Sequence, residues 1–176
     1  MSNNIKLGTV ALASLVLVST PLDGQTARGA PRDGAPQLQS PLKLSLSVGG
    51  QQYEFSGIGR CMHSPGAALF SRPGASWVVQ VKPPVATGLR SFGLTLWHMK
   101  DAQQESMFEL YMVIDRSDRR ISTMNGDTKN GSGTVTVTPH DSGGAFNIDG
   151  KTQQGVEIHG TVECERFRLP SSAVGG

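Results

Sequence analysis

The stretch Leu42-Lys43-Leu44-Ser45-Leu46-Ser47-Val48-Gly49-Gly50 decides the fold class. Its apolar residues occupy every second position, with polar residues between them. A period of two marks a strand with one face in a core and the other in water. Gly49-Gly50 then turns the chain. The same pattern recurs outward from this point. Residues 52–56 form the next strand, and Trp77, Val79 and Val81 share one face before Pro83-Pro84 stops the run. Phe92, Leu94, Leu96 and His98 alternate, followed by Phe108, Leu110, Met112 and Ile114. Residues 121–124 lead into Asn125-Gly126, a dipeptide that favours two-residue hairpin turns, and Asn130-Gly131 is a second turn signal. Residues 134–138 are β-branched, Gly143-Gly144 separates them from 145–149, and Val156, Ile158, Gly160, Val162 and Cys164 close the pattern. No window sustains the 3.6-residue period of an amphipathic helix. The expectation is an all-β domain over 42–169, an antiparallel β-sandwich or small closed barrel of eight to ten strands with one disulfide.

The ends read differently. Lys6 precedes an apolar run from Leu7 to Val18, broken only by Gly8, Thr9 and Ser14. The run is too short to cross a bilayer comfortably and has the geometry of an export signal, so 1–20 is read as a signal peptide. Any membrane association is expected only through this segment left uncleaved. Residues 21–41 alternate Pro21, Pro31, Pro36 and Pro41 with Gly24, Gly29 and Gly34, and read as a linker. Residues 170–176 read as a flexible tail. The expected location is secreted or periplasmic.

Charge and cysteine content restrict the function classes. The chain has 176 residues, a net charge of +2 and 17% charged residues, without the basicity of a nucleic-acid binder. Two cysteines exclude a multi-cysteine zinc site. In an oxidising compartment Cys61 and Cys164 are expected to form a structural disulfide. It would close a loop of about 100 residues and contribute roughly 4–5 kcal/mol.

The segments Lys43 to Val48, Gly50-Gln51-Gln52, Ser56-Gly57 and Cys61, with Phe146-Asn147-Ile148-Asp149-Gly150, Ile158-His159-Gly160-Thr161 and Val162-Glu163-Cys164, carry a resemblance. In this order they resemble the mycobacterial surface lipoprotein antigen family. The resemblance implies a small exported β-domain displayed at the envelope, its first and last strands joined by a disulfide, with no catalytic residues. Two features depart from that family: the lipid-attachment cysteine is missing, and 139–144 and the Trp77 region do not match.

Several strings invite a chemical reading. His140-Asp141-Ser142-Gly143-Gly144 looks like the nucleophile segment of chymotrypsin-like proteases, but those need two barrels and a triad gathered from distant loops. A polar hairpin loop is the simpler reading. His63, His98, His140 and His159 form no His-x-His pair, and no metal or other cofactor is expected. Gly131-Ser132-Gly133-Thr134 lacks the lysine of a phosphate-binding loop and precedes a strand. No enzyme activity is expected, and His63, His98 and Asp141 are the groups an active site would use.

One constellation points to binding. Pairing 91–99 with 107–115 sets Phe92 opposite Ile114, Leu94 opposite Met112, Leu96 opposite Leu110 and His98 opposite Phe108 as the core face. The other face then carries Trp97, Met99, Met107, Tyr111 and Val113, apolar where a solvated sheet should be polar. Trp97, Met99, Met107 and Tyr111 are the candidate binding residues, unless the Pro/Gly-rich segment 64–75 covers them. The resulting expectation is an exported, non-catalytic β-domain with a binding or structural role at the cell envelope. Its partner would be an envelope protein or an apolar ligand. The alternatives are a carrier with an internal apolar cavity, or a protease inhibitor using a protruding loop within 64–74.

Overall fold

The computed structural model describes residues 39–100, 106–124 and 129–170. The signal segment 1–20, linker residues 21–38, the Asn125-Gly126 turn and the tail 171–176 lie outside the described residues. Ten strands follow in order: β1 (Gln39–Val48), β2 (Gln51–Ser64), β3 (Ala68–Leu69), β4 (Arg72–Val81), β5 (Leu89–Met99), β6 (Met107–Ile114), β7 (Ser117–Ser122), β8 (Ser132–His140), β9 (Gly143–Lys151) and β10 (Glu157–Cys164). Nine of them form an antiparallel path β7-β6-β5-β4-β2-β1-β10-β9-β8, and β3 pairs only with β4. The path curls into a nearly closed barrel. Of the two architectures expected, the chain adopts the barrel. β1 begins at Gln39, so residues 39–41 belong to the barrel wall rather than to the linker.

Alternation makes the wall. Leu42, Leu44, Leu46 and Val48 are buried while Pro41, Lys43 and Ser45 face water. The inward residues of the other strands, among them Val79, Leu94, Leu110, Ile121, Phe146, Ile148, Ile158 and Val162, join them in one continuous core. Side chains therefore fill the barrel, as small barrels require.

The disulfide forms as expected. Cys61 and Cys164 are bonded with α-carbons 6.2 Å apart. Neither is on a strand adjacent to the other's, because β1 lies between β2 and β10. The bond passes inside one end of the barrel, where both cysteines are fully buried.

That end is also capped by the segment after β10. The N–H of Glu165 donates to Pro41 O (3.0 Å), Phe167 to Ser142 O (2.7 Å) and Arg168 to Cys61 O (2.9 Å), and His63 N–H donates back to Arg168 O (3.0 Å). Phe167 thereby meets Phe146 edge-on at 5.9 Å and His63 at 6.0 Å, and His63 stacks on Trp77 at 4.6 Å. Burial lowers the His63 pKa, which favours a neutral ring in this stack.

Two expectations of local structure need correction. Gly143-Gly144 is not the turn between β8 and β9. The turn is Asp141-Ser142, and both glycines are buried inside β9. A Cβ on Gly143 would overlap the carbonyls of Cys164 and Glu165, so this glycine serves close approach of two strands. The β5–β6 register also differs by two residues: Phe92 faces Met112, Leu94 faces Leu110 and Leu96 faces Phe108. A shift of two preserves the faces. It accompanies an irregularity in the ladder between Leu89 and Ser91.

Candidate functional site

The outer face of β2, β4, β5 and β6 carries the candidate residues. Cross-strand pairing places Arg60, Gln80, Gly93, Tyr111 and Arg120 in one row. Met62, Val78, Thr95 and Glu109 form the next row, and Ser76, Trp97 and Met107 the one beyond. Trp97 and Met107 are half-buried neighbours, whereas Tyr111 is 39% exposed.

Met99 must be removed from this surface. It is only 3% exposed. It pairs with Gly74, Lys100 N–H donates to Pro73 O, and Pro65, Gly66 and Ala67 line one cavity with it, so the 65–74 hairpin packs beside it. The covering segment therefore takes Met99 and leaves Tyr111 open. His98, expected opposite Phe108, lies beyond that pair at the exposed barrel mouth.

A groove of about 710 Å³ crosses this face. Its walls include Ile58, Arg60, Gln80, Lys82, Ser91 and Tyr111. Gly93 makes part of the floor: a Cβ there would have its nearest neighbour, Tyr111 O, at 3.9 Å. Its missing side chain leaves the gap between Gln80 and Tyr111 open. Ile58 is 55% exposed, a large apolar residue at the rim. Arg60 reaches Met62 Sδ (3.0 Å) and Gln80 Oε1 (3.4 Å), which holds its guanidinium along the wall. Among the described residues, no acidic residue lines the groove. Just outside it, partial burial and the charge and hydrogen bond of Asp118 raise the Tyr111 pKa, keeping the phenol a proton donor. Arg120 is ion-paired with Glu109 beside it.

The groups singled out for catalysis do not converge. His140 and Asp141 lie on the exposed β8–β9 turn, and His63 is in the aromatic stack. His98 Nδ1 meets Ser106 Oγ at 2.8 Å. A hydroxyl nucleophile also needs an imidazole oriented by a third group and an oxyanion hole. Among the described residues, Ser106 is the one side-chain partner of His98. His159 is exposed and lies near Asp149 and Glu157 on the surface of β9 and β10. No group of three or more His, Cys, Asp or Glu among the described residues forms a metal site.

The segment 64–74, expected to offer a protruding loop, contains the β3–β4 hairpin. Phe70 and Ser71 occupy the two turn positions, with φ of 50° and 64°. Such turns favour Asn-Gly, and Phe70-Ser71 lacks that signal. Phe70 is 64% exposed. Each left-handed non-glycine residue costs roughly 1–2 kcal/mol. Combining Phe70→Asn with Ser71→Gly is expected to raise stability by about 1–2 kcal/mol in urea unfolding. An unchanged midpoint would show that the turn stores no such strain.

Comparisons with family models, curated proteins and solved structures found no match to this chain.

Proposed function

We propose that the chain is an exported, non-catalytic binding module of the cell envelope whose outer groove holds an extended acidic segment of a partner protein. The groove between Ile58, Arg60, Lys82 and Tyr111 carries this reading. It combines exposed apolar and aromatic surface with two cations and, among the described residues, no lining acid. Aromatic and arginine side chains are enriched where proteins bind one another. The buried disulfide supports export, since such bonds persist outside reducing compartments. The packed interior favours recognition on the surface over carriage of a ligand inside.

Gly93→Leu tests the reading. The glycine has ordinary strand geometry and open space above it, so the variant should fold with equal or greater stability. Its side chain would fill the groove. In titrations with peptides alternating Glu with Leu or Tyr, the parent is expected to bind with an affinity that falls as salt rises. Gly93→Leu is expected to lose at least tenfold. Equal binding by parent and variant would remove the groove from consideration.

A further inference from the structure

Among the described residues no strand pairs with the outer edge of β8, and the backbone groups along that edge have a definite polarity. β7 stops at Ser122, whose backbone exchanges two hydrogen bonds with Asn130, of 2.7 and 2.9 Å. Gly131 follows at φ 77° and redirects the chain into β8. Nine antiparallel strands leave β7 and β8 running in the same direction. The antiparallel ladder that joins every other neighbouring pair of the path is therefore unavailable at the seam. Among the described residues, no strand pairs with the outer edge of β8.

The turn geometry identifies the free groups. Because Asp141-Ser142 is a two-residue turn, His140 and Gly143 form the closing hydrogen-bonded pair. Alternation then directs the N–H and C=O of Thr138, Thr136 and Thr134 to β9. Gly133, Val135, Val137 and Pro139 turn theirs outward. Pro139 has no N–H to donate, and it falls in the outward set, where an edge proline costs no ladder bond.

A cleft of about 390 Å³ lies beside this edge. Val135, Thr136, Val137 and Pro139 line one side, and Trp77, Leu96, His98 and Ser106 the other. Trp77 and Leu96 belong to the barrel core, so the cleft is an apolar gap in the wall. From Ser132 to Pro139, β8 carries no charged side chain. Exposed edges are usually protected by charge, by covering segments or by short length.

We propose that this seam accepts an extended, uncharged peptide strand from a partner protein. The strand pairs its backbone with Gly133, Val135, Val137 and Pro139 and sets an apolar side chain against Trp77 and Leu96. Only another extended backbone offers donors and acceptors at the spacing of this edge, and the alternating side chains of a strand would fill the gap. The site is separate from the outer groove and involves none of its residues.

The test uses the full chain and the capped peptide Lys-Thr-Val-Thr-Phe-Thr-Val-Thr-Lys, whose seven central residues are uncharged and whose terminal lysines keep it in solution. In the free protein, the amides of Val135 and Val137 are expected to exchange faster than those of Thr134, Thr136 and Thr138. Saturable peptide binding should slow Val135 and Val137 at least tenfold. Val137→Pro removes one outward donor and spares the β9 ladder, and is expected to weaken binding at least tenfold. A peptide N-methylated at alternate residues should lose as much, whether or not that variant folds. Gly93→Leu should bind like the parent, which separates this seam from the groove. Absence of binding, equal binding of the N-methylated peptide, or protection of the edge by self-association in sedimentation would each overturn the proposal.

Discussion

Replacing both Cys61 and Cys164 by Ala is expected to lower the unfolding free energy by about 4–5 kcal/mol. The bond joins residues separated by 103 positions, so every strand from β3 to β10 lies within the loop it closes, and β1 and most of β2 lie outside it. In the chain-entropy account a loop of this size restricts the unfolded ensemble strongly. Native packing adds to the effect, since both sulfurs are buried at the end of the core and the replaced atoms leave space. For a domain of this size the loss corresponds to a fall in Tm of roughly 15–20 °C. The double variant is the appropriate comparison, because a single replacement leaves a free thiol that can form new bonds. Urea unfolding of the oxidised parent and the double variant measures the difference. A loss below about 1 kcal/mol would mean that the ladders of β1 with β2 and β10 already hold the two ends together.

Local patterning made the strands and their inward faces legible. Leu42 to Val48 and Phe92 to Leu96 point where a period of two requires, because burial of one face acts on each residue separately. The disulfide was also accessible, through compartment and cysteine number. Features that depend on distant segments were not. Gly143-Gly144 resembles a turn in sequence, yet its need for glycine comes from the Cys164 and Glu165 carbonyls of another strand. A covering segment within 64–75 was legible, but that Met99 is buried while Tyr111 stays open is set by tertiary packing. Tyr111 was identified as a binding candidate, but Ile58, Arg60 and Lys82 were not. They reach its groove only because β4 lies between β2 and β5 in the sheet order. The seam was illegible for the same reason, being a property of how many strands close the wall.

Phe146→Ala is expected to cost about 3–5 kcal/mol, the range for deleting a fully buried aromatic side chain. Its position gives the loss a second consequence. Phe146 meets Phe167 edge-on, and Phe167 belongs to the segment that crosses the barrel end to bond with Ser142 and Cys61 through neighbouring amides. Phe167→Ala should cost less, about 1–3 kcal/mol, because that ring is only partly buried. If the two rings act together, the double variant will be less destabilised than the sum of the singles by about 0.5–1.5 kcal/mol. Phe167 also contacts His63, which stacks on Trp77. Its loss should therefore change Trp77 emission while far-UV circular dichroism keeps its strand signature. Additive costs with unaltered emission would show that the segment is held by its backbone bonds alone. Coupling with altered emission would make Phe167 the side chain through which the end of the chain closes the barrel.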